Sequence, residues 1–226
     1  MRRYIVLFFL LAISTQSLSA QRRRPSAVRY GEPGYWFSAG VGLFSGPGVN
    51  DGRTQSTWDF GNSMNMQYRA SLEKTVGSGS SLGIAGTYAR VPFTYISSGD
   101  PSTLPTGVTG AQCGQCDAHL DVMTLVGVFR AGAGVGFHQV IELSGGAVFY
   151  KNLKEDNGGA TLAPANGNVD PIFSIGYGLG YGFSNRTQLN FVPEYAIAIH
   201  ERSGLPNGLS NTNSTRSYRL SLRVGF

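Results

Sequence analysis

The chain has 226 residues, of which 41% are hydrophobic, 12% aromatic and 14% charged, against roughly 25% charged in an ordinary soluble domain. Its 32 glycines would each cost a helix interior roughly 1 kcal/mol relative to alanine, which excludes a long-helix or coiled-coil architecture and leaves strands and turns. The formal net charge is +5, but two of the 18 basic residues, Arg2 and Arg3, lie in a segment expected to be removed, so charge points to no nucleic-acid partner.

In chain order, residues 1–20 read as a signal peptide: a basic start, an apolar run from Tyr4 to Ile13, then small and polar residues to Ala20. That run would extend only about 15 Å as a helix, half of a hydrocarbon core of about 30 Å. Residues 21–33 follow as a periplasmic tail carrying Arg22, Arg23 and Arg24, read as a solvated tail rather than a contact for anionic lipid. No later stretch reaches the roughly 18 consecutive apolar residues of a membrane helix.

From Tyr35 onward the pattern has period two. The clearest cases are Met64 to Lys74, Pro171 to Phe183 and the terminal RSYRLSLRVGF, where Tyr218, Leu220, Leu222, Val224 and Phe226 share one parity. Side chains alternate faces along a strand, so each segment has one apolar face and one polar or bare face. Weaker versions run from Tyr35 to Phe44, Leu82 to Phe93, Leu120 to Arg130, Phe137 to Tyr150 and Leu189 to His200. The fourth segment is apolar on both parities, which leaves its facing open. Connections 75–81, 131–136 and 184–187 are short, whereas 45–62, 95–118, 151–170 and 201–216 are long and polar. Alternating short and long connections predict a closed eight-stranded antiparallel up-and-down transmembrane β-barrel over residues 34–226, with the termini at the short-turn end.

Lys74, Arg90 and Arg130 share parity with lipid-facing positions but lie near strand ends, where long side chains can reach water. Two aromatic girdles are expected: Tyr35, Trp36, Phe137, Phe183 and Phe226 at the short-turn end, and Phe93, Tyr95, Phe149 and Tyr150 at the other. The chain resembles the small outer-membrane barrels of the OmpA membrane-domain and OmpX-like group. The terminal strand ending in Phe226 is similar to the signal read by the barrel-assembly machinery. The resemblance implies residence in the outer membrane among lipid and lipopolysaccharide, termini in the periplasm, a monomer, and an unknown extracellular ligand. Unlike OmpA itself, the expected protein carries no periplasmic peptidoglycan-binding domain after Phe226.

On the interior parity stand Arg69, Glu73, Glu142, Glu194, Arg219 and Arg223. An eight-stranded barrel is just wide enough for side chains to fill, so these charges are expected to pair across the lumen as a structural plug, with a narrow ion pore as the alternative. Trp36, Arg219 and Arg223 are expected to occupy the space left by the glycine-rich faces of the first and sixth strands. Cys113 and Cys116 sit in the second long loop, where a local disulfide is expected outside the cytoplasm. His119 and Asp117 lie near them, but no metal site or cofactor is assigned. His200 and Ser203 are similar in order to the end of lipid A deacylase barrels, where serine attacks an acyl ester. Here they are three apart, which on a strand sends them to opposite faces. The preferred reading of His200 is a rim residue bonded to Glu194 or to loop backbone, so the expected role is structural or surface interaction without an identified catalytic centre, the esterase being the alternative. NRT at 185 and NST at 213 match glycosylation acceptor patterns that carry little meaning in a bacterial cell.

Overall fold

The computed structural model describes residues 31–166 and 168–226; the expected signal peptide and the Arg22 to Arg24 run lie outside the described residues. Among the described residues ten strands form: β1 (Tyr35–Ser45), β2 (Gly48–Asp51), β3 (Ser56–Asp59), β4 (Asn65–Gly77), β5 (Ser80–Ile96), β6 (Gln115–Ala131), β7 (Gly136–Glu155), β8 (Val169–Ser184), β9 (Thr187–Ile199) and β10 (Thr212–Gly225). Eight of them, β1 and β4 to β10, pair antiparallel with their neighbours in chain order. The first and last pair from Trp36 opposite Gly225 to Ser45 opposite Arg216, which closes the cylinder. Closure satisfies every strand edge that a hydrocarbon layer would leave without partners.

The remaining two strands were not visible in the sequence pattern. The hairpin β2–β3 lies inside the first long loop, where Pro, Gly, Asn and Asp obscure strands of four residues each. Its role follows from strand lengths. The β4–β5 ladder ends at Gln67 opposite Ala89, while β5 continues against β6 as far as Ile96 opposite Gln115. The exposed edge of β5 is taken up by β3, with Thr57, Trp58 and Asp59 opposite Ile96, Tyr95 and Thr94.

The outside of the barrel is an apolar belt. Val41, Ile84, Leu125, Phe173, Leu179 and Leu220 are all exposed, as the lipid-facing parity requires. In β6 the even positions Val122, Val126 and Val128 turn inward and Met123, Leu125 and Phe129 outward. That facing corrects the position of Arg130: it shares the inward parity and is 2% exposed, so it does not belong with the lipid-facing Lys74 and Arg90. A guanidinium surrounded by carboxylates in the lumen costs far less than one facing acyl chains.

The girdles also need correction. At the short-turn end Tyr35 stacks on Phe226 at 6.1 Å, and Phe137 and Phe183 flank Tyr181 at 4.9 and 5.2 Å, all exposed. Trp36, Phe93, Tyr95 and Tyr150, however, are buried inside. Phe93, Tyr95 and Tyr150 join Phe44, Trp58, Phe60, Leu120 and Leu153 in one apolar core that fills the outer half of the lumen, the half at the long-loop end. The space beside Gly180 is taken by His138 and Asn190, not by Trp36 or an arginine.

Two outcomes test this architecture. Unheated and boiled samples of the folded protein should migrate differently in a denaturing gel. Leu220→Lys, in the middle of the belt, should cost about 2–4 kcal/mol in bilayer-reconstituted denaturant unfolding, whereas substitutions to serine at the exposed loop residue Thr106 should leave the midpoint unchanged.

Candidate functional site

The inner half of the lumen is held by two tiers of charge. In the lower tier, near the short-turn end, Glu73 accepts from Ser71 at 2.8 Å and Ser81 at 2.6 Å, and from Arg223 Nη2 at 2.8 Å. The Arg223 guanidinium lies 4.0 Å over the Trp36 ring, so its apolar faces are covered while its edges bond. In the upper tier Glu142 Oε1 accepts from Arg69 at 2.6 Å and Arg219 at 2.7 Å. The same two guanidiniums reach Glu194 Oε2 at 3.3 and 2.9 Å. Arg130 joins the tiers, with Nη2 at 2.8 Å from Glu142 and 3.4 Å from Glu73.

The seven charged residues come from β4, β6, β7, β9 and β10, and their alternation along each strand brings them to one axis. Six of them are the interior charges named from parity. Arg130 is the one that sequence reasoning missed, because β6 is apolar on both faces. The two tiers leave little free space: above them lies a cavity of about 40 Å³, lined by Gln67, Thr124, Asn213, Thr215 and Ser217 among others. That volume suits a few waters rather than a solute.

A second polar cluster closes the outer end. Asp51 on β2, Asp170 on β8 and His200 just beyond β9 are nearly inaccessible. His200 Nδ1 lies 2.8 Å from Asp170 Oδ2, and Nε2 lies 3.5 Å from Asp51 Oδ1. Its ring meets Trp58 edge-on at a centroid distance of 5.8 Å. Burial works against the imidazolium, but bonds to Asp170 and Asp51 outweigh it and push the His200 pKa up to about 9. Burial likewise opposes the Asp51 carboxylate and is outweighed by His200 and Thr54, so its pKa falls below the ordinary value.

His200 therefore does not bond Glu194, which is taken by Arg69 and Arg219; its backbone does reach the last loop, donating to Asn211 at 2.7 Å. Both ring nitrogens face carboxylates, and Ser203 lies in an exposed turn. Among the described residues no hydrogen bond joins the two side chains, so the arrangement lacks the base–nucleophile contact of an esterase. Cys113 and Cys116 are joined by a disulfide, and the adjoining backbone accepts from Ser97. His119 is held 2.5 Å from Asp156 and is not with the cysteines. Among the described residues, no group of three or more His, Cys, Asp and Glu side chains is placed to hold a metal ion.

No family model matches the chain, and no curated protein matches it in sequence. Solved structures do. Neisserial surface protein A superposes with a TM-score of 0.50 at 12% identity, over 87% of this chain and 100% of that one. This chain has the fold of a small outer-membrane β-barrel. Ail of Yersinia pestis, solved with the heparin analogue sucrose octasulfate, gives a TM-score of 0.43 at 11% identity over 86% of this chain and 99% of that one. OprG of Pseudomonas aeruginosa gives 0.43 at 12% identity over 88% and 99%. At 12% identity the likeness to Neisserial surface protein A is one of fold and extends no further.

Arg130→Ala would leave Glu142 and Glu73 each short of a cation and should lower the stability of this outer-membrane barrel by about 3–5 kcal/mol, read as a shifted denaturant midpoint in detergent. For His200 the sign follows from a folded pKa above the unfolded one. Its contribution, on the order of 3 kcal/mol, is complete below about pH 6.5 and is lost as pH rises through about 9. The stability difference between the native sequence and His200→Gln should therefore be largest below about pH 6.5, and should vanish above about pH 9. An imidazole resonance titrating near 9 checks the same point independently.

Proposed function

We propose that this outer-membrane barrel is closed to solutes and acts through its extracellular face, with the four long loops outside and both termini in the periplasm. The observation that carries this reading is the filled lumen: an ion-paired inner half lies beneath an apolar outer half, with only a small cavity between. An ion crossing it would have to break buried charge pairs and then traverse a dry aromatic plug, each step costing several kcal/mol.

The loops support a surface role because they are built as one platform. Ala111 donates to Thr161 at 2.8 Å and Ala163 to Ala111 at 2.9 Å, joining the second and third loops. Tyr95 donates to Ala163 at 2.8 Å from the barrel wall. Gln112 donates to Thr54 at 3.2 Å and Asn50 to Ser210 at 3.1 Å, joining the first loop to the second and the fourth. Such a platform presents a pre-ordered surface to a partner and avoids much of the entropy lost when free loops bind.

Planar-bilayer recordings of the reconstituted protein should show no discrete conductance, and Thr106→Cys should react with a membrane-impermeant maleimide on intact cells. Stepwise channel currents, or labelling that requires opening the outer membrane, would contradict this reading.

A further inference from the structure

The β2–β3 hairpin is attached to the barrel in a way that none of the other loops is. Among the described residues, its only ladder to the wall is the three-residue pairing of β3 with β5. Across the mouth, its tip is held by side chains and by one close backbone approach. A Cβ on Gly52 would strike Ser203 O and Leu205 N, so the first and fourth loops meet there backbone to backbone. Asp51, the residue before it, is the hairpin's charged contact with the far wall, through His200 on the β9 side and thence Asp170 on β8. From β3 the hairpin inserts Trp58 into the outer lumen, 0% exposed and edge-on to Tyr150 at 5.6 Å.

We propose that the β2–β3 hairpin is a lid on the outer lumen, with the Asp51–His200–Asp170 contact as its latch and Trp58 as the stopper it carries. The hinge is the hairpin's base, where Gly46 and Pro47 join it to β1 and Gly61 and Asn62 lead on to β4, and the three-residue β3–β5 ladder that holds Trp58 parts as the tip lifts. Lifting the tip withdraws the indole and uncovers the apolar upper lumen around Phe44, Phe93, Leu120 and Tyr150. The latch is electrostatic. One imidazolium bridges two carboxylates, the Tyr150 and Trp58 rings cover it from β7 and β3, and Arg53 and Glu201 border a cavity of about 220 Å³ that opens beside it. Removing the imidazolium proton leaves two buried carboxylates facing each other with one neutral partner between them, which drives the tip away. Across neutral pH the proton is held and the lid stays shut.

The test uses the full chain in detergent with Trp36→Phe, which leaves Trp58 as the sole indole of the two in the sequence. Acrylamide quenching is followed from about pH 7 to about pH 10.5, together with the unheated gel band that reports an intact barrel. The expected result is a shielded Trp58 at neutral pH and a several-fold rise in quenching on the alkaline side, with the folded band unchanged. His200→Gln in the same background should show the raised quenching already at neutral pH and no further change. Tryptic cleavage after the exposed Arg53 in the otherwise native sequence should accelerate in parallel. Equal shielding of Trp58 at all these pH values overturns the proposal, as does a rise that coincides with loss of the folded band, since the whole barrel would then be opening. If His200→Gln does not fold, the alkaline titration of the native latch decides by the same two outcomes.

Discussion

A strand in hydrocarbon has no water to satisfy its backbone, so every N–H and C=O must find a partner within the protein. The pairing of β10 with β1 is the contact on which the rest depends, since without it two edges of the sheet would face lipid. Closure has a second consequence. Eight strands leave an interior that side chains must fill, and any charge sent inward by parity is committed to a site where it must be paired. The barrel therefore solves two problems of low dielectric at once, one with backbone bonds around the wall and one with side-chain bonds along the axis.

The axial solution is divided by chemistry. Toward the short-turn end, guanidiniums span carboxylates and hydroxyls, and each planar fork serves more than one acceptor. Toward the long-loop end, aromatic and aliphatic side chains take over, with a polar cluster around His200. The boundary falls near the cavity lined by Thr124, Asn213 and Ser217. An ordered inner network and a dry outer plug differ in what can release them: the first responds to loss of a charge partner, the second to withdrawal of the rings that fill it.

Parity carried much of the site. Arg69, Glu73, Glu142, Glu194, Arg219 and Arg223 stand on the bare or polar side of their strands, and inward facing follows once the opposite side is assigned to lipid. Where parity was ambiguous the reading failed: β6 is apolar on both sides, so Arg130 was placed outside although it links the two tiers. Aromatic residues misled for a related reason. A ring near a strand end serves equally well in a lipid girdle or in a lumen plug, and Phe93, Tyr95 and Tyr150 differ from Tyr35 and Phe137 only in which face they occupy. The partners of His200 were illegible because Asp170 meets it only once the β8–β9 register is set, and Asp51 only when a hairpin folds over the mouth.

The sequence by itself determined the strand count of the barrel, the order of short and long connections and the sign of most faces, because alternation along a strand is a local property with one period. The tertiary structure alone decided which cation meets which carboxylate, that the first loop folds into a hairpin, and that its indole fills the lumen. Those outcomes rest on register between strands far apart in the chain and on the unequal heights to which β4 and β5 rise, and neither leaves a trace in the spacing of residues along one segment.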